Sequence, residues 1–218
     1  MHFLDVGAHV GEYSLLAGHL VGPSGRVDAI EPQAGLARVI ESNARRNGLM
    51  NVVVHQVAVS DREERRALEV DPSSGGSWLS RARSSGGAPV ESMSLDSLLE
   101  KMGSDRVDIA KVDAAGNEAD VFRGAERALS GSNLPLLIYK LYGSQVVADR
   151  YGRDSLDAMR MLQEYGYQQW IVQKTLRKIT TPAAVHGLLP ADYYSIPIFA
   201  CKVESLAESI LEHYASTL

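Results

Sequence analysis

The stretch from Phe3 to Ala17, FLDVGAHVGEYSLLA, decides how the whole chain is read. A short apolar run ends in an acid, Asp5. A turn bearing Gly7 and Gly11 follows, and then apolar residues recur at helical spacing: a strand, a tight turn and a helix. RVDAIEP, residues 26–32, is a second strand stopped by Pro32. GLARVIESNARRNG, residues 35–48, repeats Leu36, Val39, Ile40 and Ala44 at helical spacing and stops at Gly48. NVVVHQVAVSD, residues 51–61, reads as a third strand. Alternation of strand and helix with right-handed crossovers gives a parallel sheet covered on both faces.

Residues 71–89, DPSSGGSWLSRARSSGGAP, interrupt the regularity with glycine and serine around a lone tryptophan. Such a stretch is either a surface linker or a lid in which Trp78 supplies the apolar contact. SLDSLLEKMG resumes helical spacing with Ser94 as its cap. RVDIAKVDAAG is a fourth strand, EADVFRGAERAL a helix and LPLLIYKLYG a fifth strand. DSLDAMRMLQEYG is a helix leading to a sixth strand, YQQWIV. YYSIPIFACKV, reached without a long helix, is a seventh strand and an antiparallel partner. A helix over residues 204–218 closes the chain, with Leu206, Ile210 and Leu211 on one side. That side packs on the domain's own sheet or forms the seam of a homodimer.

Composition sets the class. Of the 218 residues, 45% are hydrophobic and 22% charged, as expected of one globular domain spanning 1–218. The net charge is -5 and the basic residues are scattered, which argues against nucleic acid as a partner. Arg45 and Arg46 complement a helix C-terminus. Cys201 has no partner cysteine, the six histidines are dispersed outside metal-ligand spacings, and no leader or membrane-length apolar run occurs. A cytoplasmic protein without a dedicated metal is the expectation.

The opening turn excludes two ligands. No lysine follows Gly11, as a phosphate-cradling GxxxxGK loop requires, and the middle glycine of GxGxxG is missing, so a pyrophosphate has no cradle. An NAD-linked oxidoreductase is a distant reading for the same reason. What remains is Asp5 at the first strand end and Glu31 at the second. Both lie at the carboxyl edge of the sheet, where a carboxylate accepts the two hydroxyls of a ribose. Adenosine without a pyrophosphate fits, and an acid near the turn suits a ligand that bears an amino group.

These blocks, together with SMSLDSLL and VDIAKVDAAGNEADVFRGAERAL, resemble in order and spacing the FkbM-family methyltransferases, from about Phe3 to Leu141. Seven strands with the last turned around fit the Rossmann-like class I methyltransferase fold. The resemblance implies S-adenosylmethionine as cofactor, with Asp5, Gly7, Ala8 and Gly11 at its methionine end and Glu31 on the ribose. Val57 to Asp61, with Val57 and Ala58 foremost, would border the adenine. Asp113 would face the methyl group and a small-molecule acceptor, such as the hydroxyl of a sugar or secondary metabolite. His9 stands where the family often has asparagine, and either touches the ligand or faces solvent. The resemblance also implies a helix ahead of the first strand; this chain begins at that strand.

The departures lie where the chemistry belongs. Ala115 replaces a glutamate of the family, and Lys140 replaces another. A hydroxyl acceptor must lose its proton, so a base is sought. Asp113 is the first candidate and Glu118 the second, although Glu118 also suits the first turn of a helix. Lys140 holds an anionic acceptor, acts as a base if burial depresses its pKa, or pairs with Asp113. Lys111 shares a face with Asp113, and Tyr139 and Tyr142 read as packing residues. Two functions follow: an active O-methyltransferase, or a catalytically silent S-adenosylmethionine-binding protein that serves as a partner or regulatory subunit.

Overall fold

A computed structural model describes residues 1–71, 76–80, 87–104, 106–173, 176–187 and 194–202. The expected helix over 204–218 lies outside the described residues, as does much of the expected lid.

The first half alternates β1 (His2–Val6), α1 (Glu12–Val21), β2 (Arg26–Ile30), α2 (Ala34–Arg46) and β3 (Val52–His55). The short strands β4 (Ala58–Ser60), β5 (Glu64–Val70), β6 (Ser77–Leu79) and β7 (Ala88–Ser94) follow, then α3 (Leu95–Lys101) and β8 (Ile109–Val112). The second half holds α4 (Glu118–Arg123), α5 (Glu126–Ser130), β9 (Leu136–Tyr142), α6 (Ser144–Tyr151), α7 (Asp157–Glu164), β10 (Gln168–Val172), β11 (Leu176–Ile179) and β12 (Ser195–Cys201). The main sheet runs β11-β10-β12-β9-β8-β1-β2-β3. Its β3-β2-β1-β8-β9 half is parallel, and β12 enters antiparallel between β9 and β10. The turned-around last strand thus stands where the sequence reading puts it.

Side-chain alternation shows that both faces are covered. Leu4, Val6, Ala110, Val112, Leu137 and Tyr139 enter the largest core cluster, where Phe122 of α4 meets the Tyr139 ring edge-on at 5.5 Å. Asp5, Lys111 and Asp113 alternate to the other face, where Ser14 of α1 donates to Asp5.

Three expectations change. The run 51–61 is not one strand: the N–H of Val57 bonds back to the His55 carbonyl at 3.0 Å, and the chain leaves the main sheet there for a second one. That second sheet, ordered β4-β7-β5-β6, has two three-residue strands, a charge-rich β5 and Pro89 within β7, so no alternation announces it. The main sheet has eight strands rather than seven, because β11 adds an edge to β10. The helix over 118–129 is broken at Gly124, where a Cβ would stand 2.1 Å from the Ser60 carbonyl oxygen; close contact with the second sheet excludes any side chain there. Ser94 caps α3 as expected, accepting the Ser97 N–H at 3.1 Å.

Candidate active site

The β1 end is built on a buried ion pair. Asp5, 0% exposed, meets the Lys111 ammonium at 2.9 Å and accepts the Ser14 hydroxyl at 2.6 Å. Lys111 also donates to the Gly7 carbonyl at 2.7 Å, so the strand below grips the turn. Gly7, at φ 75, is required for two reasons: the left-handed backbone, and a Cβ that would lie 2.0 Å from the Asp113 carbonyl oxygen. This turn therefore touches the end of β8 directly. Gly11, at φ 85, packs on Ile40 of α2.

Glu31, only 3% exposed, fixes the same turn from the β2 end. One carboxylate oxygen accepts the His9 N–H at 2.9 Å and the other the Gln33 N–H at 2.8 Å. Burial pushes this carboxyl up from its ordinary value, although those N–H groups and the Lys111 charge pull it back. His9 is held left-handed at φ 53, with its ring exposed.

At the β8 end, Asp113 stands one residue beyond the last β8–β9 ladder pair, Val112 with Tyr139, which brings it beside Lys140. The Lys140 ammonium lies 2.8 Å from Asp113 Oδ2, and the Tyr142 hydroxyl donates to Oδ1 at 2.7 Å. Burial raises the Asp113 pKa, but the Lys111 charge and the bonds from Lys140 and Tyr142 outweigh it and leave the carboxyl below its ordinary value. Burial lowers the Lys140 pKa, but Asp113 more than reverses this and raises it, so Lys140 remains an ammonium. Of the expectations for Lys140, the pairing with Asp113 is present, and the depressed pKa on which action as a base is conditional is not.

Glu118 does not reach the cavity. Its Oε1 accepts the Ala114 N–H at 2.8 Å and the Gly116 N–H at 3.3 Å, pinning a turn in which Ala115 (φ 54) and Gly116 (φ 97) are both left-handed. A non-glycine residue in that region is strained by about 1–3 kcal/mol and persists only where its surroundings hold it. Burial first, then the nearby Asp113 charge, pushes the Glu118 carboxyl up to about 8 despite those N–H bonds. Its stabilising contribution is complete below the ordinary value of 4.5 and is lost as pH rises through about 8. Glu118→Gln keeps the Oε1 acceptor without the ionisation. Its melting temperature is expected to exceed the wild type's at pH 9 and to match it near pH 4.5; equal melting temperatures at pH 9 would show that Glu118 ionises freely.

A cavity of about 370 Å³ joins these ends. Gly7, Ala8, His9, Glu31, Val57 and Ala58 line one part, and Asp113, Ala115, Asn117 and Lys140 the other. Asp5, Gly11 and Glu118 lie behind the lining. A wall comes from α6 and β6: the Arg150 guanidinium, absent from the sequence reading, stacks 4.3 Å over the ring of Trp78, the residue expected as a lid's apolar contact, and donates to the Ala115 carbonyl at 2.9 Å. Asn117, 1% exposed, lines the cavity with neither side-chain amide atom hydrogen-bonded among the described residues. A buried amide without a partner costs roughly 1–3 kcal/mol, and both of these amide atoms are sealed from solvent.

The family model for the methyltransferase FkbM domain matches residues 5–168. The chain belongs to this family. Solved structures share its fold. A methyltransferase FkbM from Methylobacillus flagellatus KT superposes with TM-score 0.59 at 18% identity, over 91% of this chain and 43% of that one. The chain thus spans less than half the length of that FkbM protein. An Aeropyrum pernix fibrillarin with natively bound S-adenosyl-L-methionine gives 0.51 at 15% identity, over 91% and 65%. A Streptococcus mutans protein in complex with SAH gives 0.52 at 11% identity, over 93% and 88%. No curated protein matches the chain.

The FkbM site fits S-adenosylmethionine. Its volume lies within the ordinary range for small-molecule cavities, about 300–1,000 Å³. An acid ends β2, and a glycine turn without a pyrophosphate cradle ends β1. Glu31, Gly7, Ala8, His9, Val57 and Ala58 would hold the donor. Asp5 would act through Lys111 and the turn, because its own carboxylate is sealed beneath them.

Proposed function

We propose that the protein is an S-adenosylmethionine-dependent methyltransferase acting on a hydroxyl of a small molecule. The observation that carries this reading is the cavity with the Glu31 carboxylate at one strand end and the ionised Asp113 carboxylate at another. When bound, S-adenosylmethionine supplies an activated methyl group. The chain supplies position: Glu31 orders the turn, and Lys140 and Tyr142 fix the Asp113 carboxylate in the cavity wall. Asp113 orients the acceptor hydroxyl and receives its proton, as a weak base because its pKa is lowered. Asp113→Asn is expected to lower turnover by about 100-fold, the low end of general-base effects, with SAH affinity nearly retained. The test follows methyl transfer from labelled S-adenosylmethionine to hydroxylated compounds; full turnover by Asp113→Asn would contradict the role.

A silent cofactor-binding protein is the second reading. It is favoured by the same ion pair, which occupies Asp113 with Lys140 and weakens it as a base. SAH binding without transfer to any hydroxyl would select it.

A further inference from the structure

Resting on the methyltransferase reading, we propose that the acceptor is a hydroxylated oxyanion, a carboxylate or a phosphate ester, and that Arg150 is the residue that anchors its charge. Arg150 lines the cavity on the side of Asp113, and among the described residues its hydrogen bonds and ring contact are to neutral groups. It donates to the Ala115 carbonyl at 2.9 Å and to the Tyr194 hydroxyl at 3.1 Å, and it lies flat over the Trp78 ring at 4.3 Å. No carboxylate lies within ion-pair distance of it among the described residues. The other cations of this cavity are already matched, Lys111 by Asp5 and Lys140 by Asp113. Among the described residues Arg150 is therefore the one lining cation without a carboxylate partner, while Glu12, Glu31 and Asp71 line the cavity away from ion-pair reach of it.

Its geometry suits an oxyanion. A guanidinium has five N–H donors in a planar fork, and two bonds plus the stack on Trp78 hold this one in place while the remaining donors stay uncommitted. Such a fork grips carboxylate or phosphate through paired hydrogen bonds, with little side-chain freedom left to lose. The strained carbonyl of Ala115 has a purpose here, because the left-handed turn pinned by Glu118 aims it at Arg150.

The test is calorimetry on SAH-saturated protein with two matched pairs of probes: 4-hydroxybenzoate with 4-hydroxybenzamide, and glucose 6-phosphate with glucose. At least one anion is expected to bind about tenfold or more tightly than its neutral partner. The pair that shows the preference tells carboxylate from phosphate. Arg150→Gln is expected to erase the preference, and Arg150→Lys, which keeps the charge but not the fork, to retain part of it. SAH titration and thermal melts of each variant show whether it is folded. SAH binding without any anion preference, or a preference unchanged in a folded Arg150→Gln, overturns this inference alone. Failure of the wild type to bind SAH overturns the methyltransferase reading and this inference with it.

Discussion

Glu31→Ala is expected to weaken SAH binding by at least about 100-fold. Two effects act together. A ribose would lose its carboxylate acceptor, and hydrogen bonds to a charged group contribute about 1.5–3 kcal/mol each, so two of them exceed the roughly 2.7 kcal/mol of a hundredfold change. The His9 and Gln33 N–H groups would also lose their acceptor, freeing the turn that Glu31 now holds at 2.9 and 2.8 Å. Glu31→Gln separates the two effects: one side-chain oxygen remains to accept, so its loss should be intermediate. Calorimetric titration with SAH measures both variants. An affinity for Glu31→Ala within a factor of three of the wild type would remove Glu31 from the binding site.

The largest effect on stability belongs to a carboxylate remote from the cavity. Asp28, 0% exposed in the middle of β2, accepts from His2 at 2.6 Å, from His55 at 2.7 Å, and from Arg26 Nε at 2.6 Å and Nη2 at 3.0 Å. Burial raises its pKa, yet the hydrogen bonds of His2, His55 and Arg26 together with the Arg26 charge outweigh it and hold the carboxyl well below the ordinary range. Its contribution is therefore present above the ordinary value of 3.8 and lost as pH falls through the lower folded value. Breaking such a buried pair costs about 3–5 kcal/mol, because the partners are left without a counter-charge. Asp28→Asn is expected to lower the melting temperature at pH 7 by about 10 °C for a chain of this size. Below pH 4 the gap from the wild type should narrow. A gap that stayed constant down to pH 2 would contradict the ion-pair account.

The parallel half of the sheet was legible because a strand buried on both faces writes itself as an apolar run and each crossover helix as a 3.6-residue period. The glycine turn after Asp5 and the acid after β2 were legible for the same reason, as punctuation at strand ends. The second sheet was not, because β5 (ERRALEV) carries charge and β7 begins with Ala-Pro, so neither shows a clean alternation. The turn at Val57 is announced only by His55 and Gln56 between two apolar runs, too short a break to reveal the switch between sheets. Helix α6 went unread although Gly143 and Gly152 bracket it and Val147 and Tyr151 lie four apart on one buried side; with it Arg150 was missed. Sequence placed Asp5 correctly at the strand end, but side-chain alternation cannot tell lining from lying beneath. Only the Lys111 contact shows that Asp5 supports the turn from below. Glu118 opens α4, as the helix alternative expects, but four residues after Ala114 it also folds back to accept that residue's N–H, a local bond invisible to spacing arguments about the cavity.

The measurement that bears most directly on the central claim is calorimetric titration of the wild-type protein with SAH, with NAD as the control. The site described here predicts one-site binding of SAH in the micromolar range, on the order of -8 kcal/mol, and no heat from NAD, since the turn after β1 has no cradle for a pyrophosphate. No binding of SAH, or binding of NAD with equal affinity, would contradict it.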